Sequence, residues 1–373
     1  MKRIIALLFV FSAFATAGDS NERYSDPAGY EYVDFNLSFV PGISIGDERA
    51  RYTGKQIVNS GFSLSLIGNR AARLNGLELA GIFSIYEEEI RGVQLAGIFN
   101  LNGSDVRGLQ MSGIFNMANG SVRGLQGSGI FNINNGEVRG LQFTGVFNIN
   151  NGGVQGLQFA DVFNIANGRI SGMQWGGVFN VANGAVSGLQ MSGGVNIARS
   201  VHGGAQIGFV NVSGPNDGAV IGLVSYVSDV PFAYQVYGDE TQMVHAALRS
   251  GNHKWYNLFG AGRRVEGTTR YNSIDGGFGR YFDLGYRLGL DLGLHGSYLL
   301  TDDLKDNAGF ITRFSTSFHY NIGYRAAIVV GGSVNIWSTK VVEDELSRGL
   351  WKEYSEDEYF FRIWPGLHVG LKL

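Results

Sequence analysis

Val106-Arg107-Gly108-Leu109-Gln110-Met111-Ser112-Gly113-Ile114-Phe115-Asn116-Met117-Ala118-Asn119-Gly120-Ser121 is one unit of the repeat that decides how this chain folds. Its glycine recurs as Gly92, Gly108, Gly124, Gly140, Gly156, Gly172 and Gly188. Its glutamine runs from Gln94 to Gln190 and its asparagine from Asn100 to Asn196, each at a spacing of 16 residues. Self-similarity at a short fixed period denotes a modular array rather than an ordinary enzyme core.

Within a unit, apolar and polar residues alternate as in a strand with two unlike faces. From Ser121 to Ile133 the odd positions are mostly apolar, and the even ones are mostly small or amide-bearing. Two architectures share this pattern. In the first, Ala118-Asn119-Gly120 is a three-residue hairpin loop and Met117 pairs with Ser121. Gly113 then faces Leu125, Leu109 faces Gly129, and the units form an antiparallel meander that closes into an outer-membrane-type barrel. This arrangement also keeps Arg91, Arg107, Arg123 and Arg139 apart; stacked about 5 Å from one another they would cost up to ~1 kcal/mol per pair in water. In the second, each unit is one coil of a parallel β-solenoid, and like residues stack into Asn and Gln ladders. A closed barrel needs a stagger between strands, which a constant period with tight turns does not supply. The expected fold is thus all-β: a repeat-built antiparallel meander closing into a barrel, with a solenoid of 16-residue coils followed by an antiparallel region as the alternative. The variable central residues Met111, Gly127, Phe143, Phe159, Trp175 and Met191 would meet lipid in a barrel and form the core in a solenoid.

Four segments are expected. Residues 1–17 read as a secretory signal peptide, with Lys2-Arg3, an apolar run and Ala15-Thr16-Ala17. Residues 18–73 form opening strands, 74–230 the repeat array, and 231–373 antiparallel strands of barrel type. In the array, Gly204 to Asn211 is one residue short between its Gln and Asn. In the last segment Leu284, Tyr286, Leu288, Leu290, Leu292 and Leu294 alternate with Asp283, Gly285, Arg287, Gly289, Asp291, Gly293 and His295. Leu367, Val369, Leu371 and Leu373 alternate with His368, Gly370 and Lys372. Dyad alternation over about ten residues is what a membrane-spanning strand shows, apolar toward lipid and polar toward the lumen. A charged loop runs from Lys340 to Glu358.

The units around Gly108-Leu109-Gln110-Met111-Ser112-Gly113-Ile114-Phe115-Asn116 resemble an uncharacterised family of bacterial surface-repeat proteins, with Gly-Leu-Gln-x-x-Gly-x-x-Asn repeats behind a signal peptide. Phe39-Val40-Pro41-Gly42-Ile43-Ser44, Asn75-Gly76-Leu77-Glu78-Leu79 and Trp364-Pro365-Gly366-Leu367 are similar to it as well. The resemblance covers most of the mature chain. It implies a cell-envelope location in a Gram-negative bacterium and carries no activity.

Composition narrows the chemistry. The chain has 57 glycines, 5 prolines, 13% aromatic residues, no cysteine and a net charge of −3. Thiol chemistry and disulfides are excluded, and no basic patch suits nucleic acid. His202, His245, His253, His295, His319 and His368 show no metal-ligand spacing; His295 and His368 fall on the polar faces of strands. Glu87-Glu88-Glu89 and Asp302-Asp303 fall in turns, where solvated charge is the default. The Gln and Asn series would bond to one another or to lumen water. No catalytic, cofactor-binding or metal-ligating residue is assigned, and no enzyme activity or cofactor is expected. The expected role is an exported outer-membrane or surface protein, structural or a passive pore, in contact with membrane lipid. The alternative is a surface-displayed solenoid binding a protein or glycan.

Overall fold

The computed structural model describes residues 29–45, 56–267, 270–301, 307–323, 326–340, 346, 352–356 and 359–373. The expected signal peptide, Asp302-Asp303 and most of the 340–358 loop lie outside them. The described residues form strands and turns with no helix. They fall into two compact units, Met1–Gly184 and Ala185–Leu373.

The first unit opens with a hairpin, Tyr30–Val40 against Ile43–Ile45, and Tyr30–Val40 lies parallel to Gln56–Ser65. The repeats follow as coils. In each, a longer strand such as Val106–Ser112 turns at Gly113-Ile114 into a shorter one, Phe115–Ala118, and a second corner at Asn119-Gly120 leads into the next coil. Val106–Ser112 pairs in parallel with Val122–Ser128, so that Arg107 meets Arg123, Gly108 meets Gly124 and Gln110 meets Gln126. Phe115–Ala118 pairs likewise with Phe131–Asn134. The repeats are therefore a β-solenoid, not an antiparallel meander, and the Met117–Ser121 hairpin pairing does not occur.

Side-chain chemistry explains the choice. Parallel stacking puts identical amides one strand spacing apart, where each donates to a neighbour in the stack; the meander offers no such partner. The expected arginine repulsion, already reckoned in water, is offset by carboxylates beside the stack. Glu89 lies 2.8 Å from both Arg91 and Arg107, and Glu137 lies 2.8 Å from Arg139.

The repeated glycine is fixed by its backbone. Gly92, Gly108, Gly124, Gly140 and Gly156 hold φ between 128° and 132°, a region closed to L side chains. A Cβ on Gly124 would also lie 2.1 Å from the carbonyl oxygen of Gly108.

The second unit begins with further coils. Leu189–Ser192 pairs with Ala205–Ile207 and then Ala219–Ile221; Val195–Val201 pairs with Val210–Ser213 and then Val224–Val227. Asn196 partners Asn211, fifteen residues on, where the sequence is one residue short.

The rest of this unit is a closed antiparallel barrel of eight strands: Ala233–Asp239, Met243–Gly251, Trp255–Arg264, Tyr271–Gly285, Leu288–Thr301, Asn307–Asn321, Ala327–Thr339 and Tyr359–Lys372. Each pairs with its neighbour in sequence, and the last pairs with the first. Lys352–Glu356 adds a short strand at the edge of Tyr359–Lys372. The alternation read from Leu284 to Leu294 as one strand is broken by a turn. Tyr286 and Arg287 have φ of 47° and 72°, the positive values of a two-residue hairpin loop. Such a loop preserves parity, since Phe282 faces Leu290 and Arg280 faces Leu292. The pattern runs through the turn unchanged.

Candidate functional site: a polar interior under an apolar exterior

The coils invert the usual arrangement of a soluble solenoid. Val106, Val122 and Val138 point inward, and the other buried positions are largely amides: Gln94, Gln110, Gln126, Gln142, Asn100, Asn116, Asn132 and Asn148 are all fully buried. Gln110 Nε2 donates to Gln94 Oε1 at 2.9 Å, Gln126 to Gln110 at 2.7 Å, and Gln142 to Gln126 at 2.8 Å. The asparagine ladder runs the other way, Asn116 Nδ2 donating to Asn132 Oδ1 at 2.8 Å and Asn132 to Asn148 at 2.9 Å. The two sheets are tied across the core where Gln126 and Asn134 exchange bonds of 3.0 and 2.8 Å. The expectation that these amides bond to one another is met.

The apolar residues lie outside. Met111 and Trp175 are exposed, so the variable central position does not form the core expected of it in a solenoid. Phe83, Phe99, Phe115, Phe131, Phe147, Phe163 and Phe179 stack face to face along the exterior, centroids 4.7–5.6 Å apart. Ile82, Ile98, Ile114, Ile130 and Val178 line one corner, all exposed. At the first coils, the hairpin and the coil exterior enclose an apolar groove of about 970 Å³, lined by Leu37, Phe39, Ile43, Leu64, Leu79 and Leu95 among others.

Glu78 stands where later units carry the ladder glutamine. It is fully buried and accepts from Ser65 Oγ at 3.0 Å, Asn69 Nδ2 at 3.2 Å and Tyr86 Oη at 2.9 Å. Burial pushes its carboxyl above the usual range, against the pull of these donors and of Ser63.

The barrel is inverted too. Its lumen holds ion pairs. Asp239 Oδ2 lies 2.6 Å from Arg313 Nη2 and 3.1 Å from His245 Nε2, whose Nδ1 is 2.7 Å from Asp275. Arg249 makes a fork to Asp291, at 2.6 and 3.1 Å, and stacks 3.5 Å from the Tyr256 ring. His319 Nε2 is 2.6 Å from Asp291, and His368 Nε2 is 2.8 Å from Ser317 Oγ. A void of about 10 Å³ remains among Tyr256, Asp291, His295, Arg313 and His368, room for one water at most. His295 and His368 face the lumen, as the alternation indicates. At one end Met243, Tyr271, Leu299, Ile311, Trp337, Leu346 and Trp364 pack into a buried apolar cluster. Glu240 joins it to the strands, accepting from Asn335 Nδ2 at 2.7 Å and Trp364 Nε1 at 2.9 Å. Outside, Tyr234, Leu292, Phe314, Phe318, Val330, Leu367 and Val369 are exposed.

Sequence reasoning found the strand faces that form the lumen but not its pairing, because partners such as Arg249 and Asp291 are 42 residues apart. Among the described residues, no group of three His, Asp or Glu side chains is placed to hold a metal ion.

No family model and no curated protein matches the chain. Two solved structures are similar in part. Neisserial surface protein A (NspA) is 10% identical with a TM-score of 0.22, over 38% of this chain and 92% of its own. Ail, the attachment invasion locus protein of Yersinia pestis, is 11% identical with a TM-score of 0.18, over 38% of this chain and 93% of its own.

Proposed function

We propose that the chain is a non-enzymatic outer-membrane protein of a Gram-negative bacterium, whose barrel anchors the coils at the membrane. One observation carries this reading: a closed barrel with its ion pairs inside and its leucines, valines and phenylalanines outside. A water-soluble barrel would gain nothing from a continuous apolar exterior, whereas hydrocarbon demands one. Of the roles expected from the sequence, the structural one fits this interior. A passive pore needs an open lumen, and here side chains fill it.

The reading also gives an orientation. The turns between Gly251 and Trp255, Gly285 and Leu288, and Asn321 and Ala327 span two to five residues; at the opposite end the connections span three residues after Asp239, six after Arg264, five after Thr301 and nineteen after Thr339, so the longer ones gather there. In outer-membrane barrels the short turns face the periplasm. Ser225 and Gly222 of the last coils bond to Ser250 and Asn257 beside the short turns. These last coils would then lie at the periplasmic side rather than on the outer surface.

Fractionation tests the proposal. The protein should remain with outer membranes through carbonate washing, and Leu292→Asp should prevent assembly. Normal assembly of that variant, or release by carbonate, would refute it. Planar-bilayer recording should find no steady conductance.

A further inference from the structure

From the cross-section of the coils we infer that the solenoid is itself a lipid-binding element, which dips its isoleucine-valine edge into the hydrocarbon of a phospholipid leaflet. This rests on the barrel reading for its membrane, but the observations behind it are separate.

The first is segregation within each coil. One corner carries the stack Ile82, Ile98, Ile114, Ile130, Val146, Val162 and Val178; the opposite corner carries the exposed ladder Asn119, Asn135, Asn151, Asn167 and Asn183, beside Arg91, Arg107, Arg123 and Arg139. Between the corners the outward residues grade from charged to apolar, as Arg107, Leu109 and Met111 do on one sheet. A coil is thus amphipathic from edge to edge. The longer strand has seven residues, about 23 Å at the usual rise. That is enough for the apolar corner to reach hydrocarbon while the polar corner stays at the headgroups.

The second is the core. A polar interior is costly in lipid unless every group is paired. The Gln and Asn ladders pair their amides along the stack, and the strands pair their backbone groups. The ladder amides thus bring no unmet donor to the hydrocarbon, and among the described residues the buried hydroxyls of Ser112 and Ser192 are the exceptions in the coils, each without a partner. Between Leu74 and Gly184 the apolar corner bears one charge, Asp161, at the place that Gly145 and Gly177 take in neighbouring coils.

The third is continuity. In the second unit the last coils lie beside the barrel wall, where Ser225 covers the outward-facing Ser250 and Asn257. Their exposed Tyr226 packs 6.1 Å from Phe232, which leads directly into the outward Tyr234 of the first barrel strand. The apolar exterior of these coils and the barrel's belt are one surface. A lipid leaflet covers both without a change of partner.

The native chain has no cysteine, so single-site labels test this. Ile98→Cys, Ile130→Cys, Asn135→Cys and Phe314→Cys would each carry an environment-sensitive dye, in the full chain refolded into phosphatidylcholine vesicles with brominated acyl chains. Circular dichroism would confirm native β content. Labels at 98, 130 and 314 should be quenched severalfold relative to unbrominated vesicles, and the label at 135 should not. Quenching at 314 but not at 98 or 130 overturns the inference and leaves the barrel reading intact. Blue-shifted but unquenched labels at 98 and 130 would mean that protein, such as a second copy, covers the edge, and overturn it too. Quenching at 98 and 130 without 314 would sustain the inference and refute the barrel reading; no quenching anywhere would refute both.

Discussion

Replacing Asn132 by alanine tests the amide core quantitatively. Asn132 Nδ2 donates to the Phe143 carbonyl at 3.1 Å and to Asn148 Oδ1 at 2.9 Å, and its Oδ1 accepts from Asn116 Nδ2 at 2.8 Å. The site is fully buried, so no water replaces the lost amide. Three partner groups each lose one bond, and a buried unpaired group costs about 1–3 kcal/mol. Asn116 keeps a second acceptor, the Gly127 carbonyl at 2.7 Å, so the penalty falls mainly on two groups. The expected loss is about 3–5 kcal/mol, including a small cavity term. Asn135→Ala is the internal comparison. It also sits in a ladder, donating to Asn119 at 3.0 Å and accepting from Asn151 at 2.7 Å, but on the exposed corner. Water restores its partners, and the loss should stay below about 1 kcal/mol. Urea titration followed by far-ultraviolet circular dichroism in detergent would report both. Equal effects at the two sites, or a loss at Asn132 under about 1 kcal/mol, would refute the claim that the ladder is a dry core.

Three further outcomes follow from the geometry. Gly124→Ala should cost at least about 2 kcal/mol, because a positive φ and a carbonyl both exclude a Cβ, while Gly127→Ala, facing only the movable Phe143 ring, should be nearly neutral; thermal melts would separate them. The raised carboxyl of Glu78 makes the folded state bind a proton more tightly than the unfolded chain. Its contribution is therefore complete below the ordinary carboxylate range and is lost as pH rises through the folded value; Glu78→Gln should flatten stability against pH there and raise it at neutral pH. Arg249→Ala leaves Asp291 without its fork and should cost about 3–5 kcal/mol, seen as a lower temperature for loss of the heat-modifiable band on gels, whereas Arg249→Met with Asp291→Leu should recover most of it.

The barrel was legible in the sequence because one cause, a wall with unlike sides, leaves one trace, alternation. Leu292 and Leu367 lie outside, and Asp291 and His368 inside, as the dyad pattern requires. The coils were half legible. Period, corners and the stacking of amides could be read, but strand direction could not: a hairpin and a coil place the same residues on the same two faces. The hairpin reading weighed Arg–Arg repulsion as if no counter-charge were near, and Glu89 and Glu137 supply it. The barrel reading set Met111 and Trp175 outward and the solenoid alternative set them in the core; they lie outward, but on a solenoid. Apolar residues are ordinarily placed inside, and only the Gln126–Asn134 exchange across the core shows why amides take that side here. The lumen pairings were hidden because closure joins residues that sequence distance keeps apart, as with Glu240 and Trp364.

Spin labels on Asn119→Cys and Asn135→Cys would test the stacked coil most directly. Stacking places these positions one strand spacing apart, about 5 Å, and the continuous-wave spectrum should show strong dipolar broadening. A meander would set them at opposite ends of one strand, about 40 Å apart; a sharp spectrum, with a pulsed-dipolar distance in that range, would contradict the parallel amide-cored solenoid.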